Sequence, residues 1–240
     1  MEEKIFFISI IIPCLNEEAN IPVITSEIIA SLKPLNIEWE VIFIDDGSSD
    51  NTWQTIQEAS KINSKIIGFK HPANLGIVEA WKSGLENSKG DYVLTTDADL
   101  QYSPKDIPLL IEEMNKHQCD IVQGWRAKQY QSILRIILSK VFSVILNICF
   151  NLKLHDIKSG FVLYRKDIFK KILDKREGFK NFQHLIMIAA SHLGAVIHQV
   201  PISFYQRHAG TSYISSPLYF SIKSILEVPK AMIYFRRKRK

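Results

Sequence analysis

Ile5-Phe6-Phe7-Ile8-Ser9-Ile10-Ile11-Ile12-Pro13 is an almost unbroken apolar run, rich in β-branched residues. A half-exposed strand would alternate apolar with polar. A continuous run fits a strand covered on both faces, which marks a parallel sheet with helices above and below it. The chain then repeats the idea. A helical stretch from about Glu18 to Leu32 leads into a second buried strand, Trp39–Ile44. That strand ends in Asp45-Asp46-Gly47-Ser48-Ser49-Asp50, a polar turn that offers an N-cap to a helix over 51–61. The strand Lys65–Lys70, a helix from Gly76 to Asn87 and the strand Asp91–Thr96 continue the alternation. Residues 1–100 therefore read as an open, doubly wound α/β sheet.

Beyond residue 100 the pattern is more mixed. Ser103-Pro104-Lys105-Asp106 starts a helix, with Ser as N-cap and Pro in the first turn, running to about Lys116. Asp120–Gly124, Gly160–Tyr164 and Ala195–Tyr205 read as strands, with a helix near 182–193. Residues 132–150 are strongly apolar, but Arg135, Ser139, Ser143 and Asn147 recur every four residues and draw a narrow polar stripe along a helix, with Lys140 beside it. A span needs roughly 18 clean apolar residues, so this segment is either a core helix or one lying in a membrane interface. From Pro217 to Phe235 the chain is apolar and aromatic, and then it turns basic, the order of an interfacial anchor.

Composition narrows the classes. Of the 240 residues, 46% are apolar and 23% charged, which excludes a disordered chain and suffices for one large domain or two small ones. The net charge of +5 resides in Arg236, Arg237, Lys238, Arg239 and Lys240, leaving the body formally neutral. Such a tail suits nucleic acid, an anionic membrane leaflet or plain solvation. The aromatics precede the charges instead of interleaving with them, and no recognition motif is present, which argues against nucleic acid. Cys14, Cys119 and Cys149 are odd in number and far apart, the mark of reduced thiols, and no signal-peptide pattern opens the chain.

Three polar clusters fall at strand ends: Asn16-Glu17, Asp45-Asp46 and Asp97-Ala98-Asp99. In an open α/β sheet ligands bind beyond those ends, and acidic groups gathered there repel one another unless a cation or hydrogen-bond donors join them. Carboxylates two apart on extended backbone point the same way, and their hard oxygens suit Mg²⁺ or Mn²⁺. No phosphate-binding Gly-rich loop with Lys, and no dinucleotide Gly-x-Gly-x-x-Gly turn, is present. His71, His117, His155, His192, His198 and His208 show no metal-ligand spacing along the chain.

The segments Ile10-Ile-Ile-Pro-Cys-Leu-Asn-Glu-Glu, Val41-Ile-Phe-Ile-Asp-Asp-Gly-Ser-Ser-Asp and Gly90-Asp-Tyr-Val-Leu-Thr-Thr-Asp-Ala-Asp-Leu-Gln resemble family 2 glycosyltransferases of the GT-A fold. Asp97-Ala-Asp-Leu-Gln-Tyr-Ser-Pro is most similar to the polyprenyl-phosphate branch, the one like dolichol-phosphate mannose synthase. Gly124-Trp-Arg, Asp156-Ile-Lys-Ser-Gly-Phe and Val200-Pro-Ile-Ser-Phe-Tyr-Gln-Arg-His-Ala-Gly-Thr-Ser follow in the family's order, so the resemblance spans about residues 7–213. It implies a catalytic domain over 1–213 and an amphipathic, polybasic, membrane-associating tail over 214–240, with an interfacial helix.

The resemblance also implies roles. Pro13, Leu15, Glu17 and Asp45 frame the nucleoside of a GDP- or UDP-sugar. Asp97, Ala98 and Asp99 meet its diphosphate, with Asp97, Asp99 and Gln101 around the Mg²⁺ or Mn²⁺. Arg126 and Arg207 face phosphates, where a guanidinium fork fits better than Lys. Arg135 is a candidate for the acceptor phosphate, and Ser159 and Gly160 line the sugar pocket. Asp99 and Arg126 carry the catalytic weight in an inverting, metal-assisted displacement.

A hydroxyl acceptor needs a general base, whereas a phosphate monoester is already an anion. Relatives that use hydroxyls carry an acidic pair where this chain has Asn181-Phe-Gln-His-Leu-Ile, and no carboxylate lies between Gly178 and Leu226. The expected acceptor is therefore a polyprenyl phosphate at the cytoplasmic membrane face, met by a peripheral enzyme or one with a separate membrane subunit. The alternative is transfer to a hydroxyl of a glycolipid or surface polysaccharide, with His184 as base.

Overall fold

The computed structural model describes residues 7–130, 133–176, 178–179, 181–210 and 226–235. Strands β1 (Phe7–Cys14), β2 (Glu38–Asp45), β3 (Ile66–Lys70) and β4 (Tyr92–Thr95) alternate with helices α1 (Ile21–Leu32), α2 (Thr52–Ile62) and α3 (Ile77–Glu86). Then follow α4 (Ile107–His117), β5 (Ile121–Gln129), α5 (Ile133–Phe150), β6 (Val162–Arg165), α6 (Lys166–Leu173), α7 (Ile186–His192) and β7 (Ile197–Phe204). All seven strands form one sheet in the order β3-β2-β1-β4-β6-β5-β7. Only β6 runs antiparallel to its neighbours, so the sheet is mixed but mostly parallel.

The apolar run that opens the chain does what its lack of alternation implies. Ile8, Ile10 and Ile12 point into one core with α1, α2 and α4, while Ile11 points into the other with α3. The one polar residue in the run, Ser9, is fully buried and satisfied. It donates to Glu40 Oε1 at 2.7 Å and accepts from the Gly90 N–H at 2.9 Å. A Cβ on Gly90 would stand 2.8 Å from the Ser9 backbone nitrogen, so the close approach requires glycine there. Because β2 pairs on one side of β1 and β4 on the other, the crossovers diverge at this point. A crevice opens where they part, at the carboxyl ends of β1 and β4.

Several expected boundaries moved for local reasons. Residues 17–20 form a turn closed by the Asn20 N–H on the Glu17 carbonyl, and α1 begins only at Ile21, with Pro22 in its first turn. The helix expected from Ser103 opens as a 3₁₀ turn, Pro104–Asp106, with Ser103 Oγ accepting from the Lys105 N–H. The helix expected over 182–193 is split into a 3₁₀ turn, Phe182–His184, and α7. Helix α6 was not foreseen, although Phe169, Ile172 and Leu173 on its inner face are all buried.

Helix α5 settles the choice between core and interface in an unexpected way, because its amphipathicity is inverted. The polar stripe turns inward: Ser143 is buried, and the Asn147 side chain brackets the backbone of Leu154, donating to its carbonyl and accepting from its N–H. Phe142 and Leu146 pack in the second core. The apolar residues Ile133, Ile137, Val141, Val144 and Ile148 are each more than half exposed. The side chain of Arg135 lies outside the described residues. Among the described residues no helix is long and apolar enough to cross a membrane.

The expected tail, 214–240, falls largely outside the described residues. Its described part, 226–235, is helical and seats Val228, Ala231 and Phe235 in the second core. That stretch therefore packs one face on the domain, and the basic residues 236–240 are outside the described residues.

Candidate active site

The three acidic clusters read from the sequence meet at the carboxyl ends of β1, β2 and β4. Backbone geometry brings them there. Asn16 adopts a left-handed φ of 57° just past β1, and its side-chain oxygen accepts from the Ser49 N–H at 2.8 Å. This ties the turn after β1 to the turn after β2. Leu100, with φ 60°, bends the chain just after Asp99. The Gln101 N–H then donates to Asp99 Oδ1 at 3.1 Å.

At the centre, Arg207 bridges two carboxylates that lie far apart in sequence. One Nη reaches Glu17 Oε1 at 2.7 Å and the other reaches Asp99 Oδ2 at 2.9 Å. Asn20 also donates to Glu17, at 2.5 Å. Burial pushes the Glu17 and Asp99 carboxyls up, and Arg207 opposes the shift in both. Asp97 has less help: burial and the neighbouring Asp99 raise its carboxyl to about 7. No hydrogen bond from the described residues reaches the Asp97 carboxylate. Buried oxygens held together against their own repulsion fit a hard divalent cation, and Arg207 alone supplies too little positive charge for three carboxylates.

Asp45 is fully buried at the end of β2. Its Oδ1 accepts from the Ser48 N–H at 3.0 Å, while Oδ2 has no hydrogen bond and faces Lys70 Nζ at 3.8 Å. Asp46, one residue on, does a different job. It accepts from the N–H groups of Leu75 and Gly76, which fixes the loop leading into α3, and it pairs with His71 Nδ1 at 2.7 Å.

The opposite wall is cationic. Arg126 on β5 is forked onto Asp156, with Nε at 2.6 Å and Nη2 at 3.0 Å, and Nη2 also donates to Ser139 on α5 at 3.2 Å. Burial alone would raise Asp156, but Arg126 overrides it and holds that carboxyl below its ordinary range. Lys158 sits on the same loop over the ring of Phe142. Burial and the charge of Arg126 lower its ammonium to about 8. A framework of amides holds the loop: Gln123 donates to the Ser159 carbonyl, and Gln199 donates both to Gln123 and to the Asp156 carbonyl. Thr95 Oγ1 and the Tyr102 hydroxyl pin Gly160 from either side, and Gly160 lies beside Asp97.

Residues 9–173, well over half of the chain, match the family model described as Glycosyl transferase family 2. The chain belongs to that family. Among curated relatives, undecaprenyl-phosphate 4-deoxy-4-formamido-L-arabinose transferase of Pseudomonas fluorescens is 32% identical over 209 residues, 87% of this chain and 60% of its own. The protein of that name from Pectobacterium carotovorum is 30% identical over 216 residues, 90% of this chain and 64% of its own. The chain thus spans between about half and two thirds of the length of the curated relatives it matches. Among solved structures, glucosyl-3-phosphoglycerate synthase of Mycobacterium tuberculosis, in complex with Mn²⁺, UDP and glucosyl-3-phosphoglycerate, superposes with a TM-score of 0.64. That likeness is 17% identical and covers 98% of this chain and 80% of that one. At such identity it establishes the shared GT-A type of fold.

Within this family 2 domain the expected residues separate into groups. Glu17 and Asp99 meet through Arg207, and Asp97 lies close enough to feel the charges of all three. Pro13 and Leu15 line the same edge and are half-buried. The side chain of Ala98 turns into the first core, leaving only its backbone towards the crevice. Gln101 donates its side-chain amide to the Tyr205 carbonyl and so ties the aspartate loop to the segment carrying Arg207. Ser159 is buried in the cationic wall. His184 is buried against Phe142, and burial together with Lys158 and Arg126 lowers its imidazole to about 3. Such a group stays neutral near pH 7 and is a weak base there, which counts against the alternative histidine base. Sequence reading did not pair Arg126 with Asp156 or single out Lys158 and the Gln123–Gln199 pair. The string Asp156-Ile-Lys-Ser-Gly-Phe was visible, but nothing in it named its partner thirty residues upstream.

Proposed function

We propose that this domain is an inverting glycosyltransferase that moves a sugar from a nucleotide-sugar to a polyprenyl phosphate at the membrane surface. The observation that carries this reading is the contrast between the two walls of the crevice. One wall gathers Glu17, Asp97 and Asp99. The other holds buried Arg126 and half-buried Lys158, whose ammonium the Arg126 charge disfavours and an anionic acceptor would favour. The names of the curated relatives, transferases acting on undecaprenyl phosphate, point to the same acceptor.

On this reading Asp45 Oδ2, buried without a hydrogen bond, accepts from the donor's nucleoside. Asp97 and Asp99 hold a divalent Mg²⁺ or Mn²⁺, which offsets negative charge on the leaving diphosphate. Arg207, already between Glu17 and Asp99, gives that diphosphate a second cation. Arg126, fixed by Asp156 and Ser139, keeps its remaining N–H groups for the acceptor phosphate. The phosphate oxygen attacks the anomeric carbon without a base, consistent with the weakly basic His184 and the absence of a carboxylate between Gly178 and Leu226. On the C-terminal side of that gap, Glu227 accepts from the Asn181 N–H.

The outward apolar stripe of α5 supports a peripheral seat on an anionic bilayer, on its cytoplasmic face, with or without a separate membrane subunit. The test is to incubate the protein with Mn²⁺, undecaprenyl or dolichyl phosphate and a panel of labelled donors (GDP-mannose, UDP-glucose, UDP-GlcNAc), then extract the lipid. Labelled lipid phosphate is the expected result. Label found only on a hydroxyl-bearing glycan would overturn the acceptor assignment.

A further inference from the structure

Well away from the crevice, α4 and β7 bring together three metal-ligating side chains that sequence spacing kept apart. Glu113 and His117 lie one turn apart on α4, and His198 comes from β7. Both imidazole Nε2 atoms stand 3.0 Å from the same carboxylate oxygen, Glu113 Oε2. The rings stack with centroids 4.0 Å apart, which keeps both on one side of that oxygen. One ligand atom from each residue fits within 4.8 Å of the others. Tetrahedral zinc with nitrogen and oxygen ligands at about 2.0–2.2 Å sets ligand atoms about 3.3 Å apart, so the 3.0 Å separations need only a few tenths of an ångström of expansion.

We infer that Glu113, His117 and His198 form a second cation site, selective for a borderline divalent ion of the zinc class, which ties α4 to β7. The donor set decides the class. Two imidazoles and one carboxylate suit Zn²⁺, whereas an all-oxygen cluster such as Asp97–Asp99 suits Mg²⁺ or Mn²⁺. The three side chains are 15%, 39% and 33% exposed, enough to admit an ion and a water as fourth ligand. Lys116 approaches only the other carboxylate oxygen, Oε1, at 3.5 Å and is itself largely exposed. The site is separate from the crevice. His198 lies six residues before the end of β7, about 20 Å along the strand from where the chain turns towards Arg207. Its place gives it a role: α4 follows the Asp97–Asp99 loop and β7 leads to Arg207, so the ion would fix the two elements that adjoin Asp99 and the arginine that pairs with it.

The test uses the full chain in excess Mg²⁺, which occupies hard-oxygen sites, with Zn²⁺ binding followed by equilibrium dialysis and thermal melting. One equivalent of zinc should bind and raise Tm. His198→Gln and His117→Gln should each weaken that binding by about tenfold or more and abolish the zinc-dependent rise in Tm. Sugar transfer without zinc should stay at the wild-type level in both. His117 is the more exposed ligand, so its variant keeps the test usable if His198→Gln fails to fold. Two results would overturn the inference: no zinc bound by the wild-type chain, which leaves a histidine–carboxylate hydrogen-bond cluster only, or equal zinc affinity in a folded histidine variant and the wild type.

Discussion

Replacing Asp156 by Asn isolates what holds the cationic wall in place. The Arg126 and Asp156 side chains are only 10% and 8% exposed, and two charge-assisted bonds of 2.6 and 3.0 Å join them. Removing one member of a buried pair strands the other charge, at a cost of about 3–5 kcal/mol, whereas an exposed pair contributes about 1 kcal/mol or less. Asn retains one acceptor oxygen for the guanidinium, so the lower end, about 3 kcal/mol, applies. At roughly 2–4 °C per kcal/mol for a domain of this size, Tm should fall by about 6–12 °C.

The cause is separable from simple loss of packing. In Arg126→Met/Asp156→Leu neither charge remains, so much of the lost stability should return, with a coupling on the order of 2 kcal/mol. The pH dependence has a definite sign. Because Arg126 depresses the folded-state pKa of Asp156, the contribution is fully present above the unfolded value near 3.9 and is lost as pH falls through the lower folded value. The gap between wild type and Asp156→Asn should therefore be constant from pH 8 to about 5 and close only below about 4. Urea denaturation across that range measures it. A single variant melting within about 3 °C of wild type, or a double variant as unstable as the single, would refute the buried-pair reasoning.

Asp99→Asn should lower transfer on the order of 10³-fold while Tm stays close to wild type, since Asn keeps an acceptor for the Gln101 N–H and relieves repulsion at Asp97. Initial rates beside a thermal melt test this. His184→Leu should leave kcat/KM within about tenfold and the rate profile from pH 6 to 8 unchanged; a loss of 10²–10⁴-fold is what removing a general base costs. Ile137→Glu combined with Val144→Glu should weaken sedimentation with anionic vesicles by about tenfold per change, and leave transfer to a short-chain, water-soluble polyprenyl phosphate intact.

What could be read from the sequence was local. The run Ile8–Ile12 specifies a strand covered on both faces because adjacent side chains point opposite ways, and no tertiary knowledge is needed for that. Glu17, Asp45 and Asp97 could be placed together because parallel topology sends strand ends to one edge. The other wall was not legible. Arg126 on β5 meets Asp156 on the loop before β6, and His198 meets Glu113 across 85 positions. The periodicity of α5 was visible, but its orientation was not. A stripe of Ser and Asn faces inward when the domain offers partners, and the Leu154 backbone and Arg126 were those partners.

That inversion connects the two ends of the proposed reaction. Ser139 touches Arg126 on the inner side of α5, while Ile137, Val141 and Val144 are exposed on its outer side, all within two turns of one helix. A helix with its side chains is about 10–12 Å across, and an interfacial helix buries its apolar face about 5–10 Å into the boundary between headgroups and chains. Seated that way, α5 would bring Arg126 to roughly the level of the headgroups. A lipid phosphate could then reach the guanidinium while its polyprenyl chain stayed in the bilayer, so the acceptor need not be extracted at the cost of exposing its chain. The same rigid helix would set both the depth of seating and the position of the phosphate. Shifting the apolar stripe by one turn should therefore impair transfer to the membrane-bound lipid even where vesicle binding is retained.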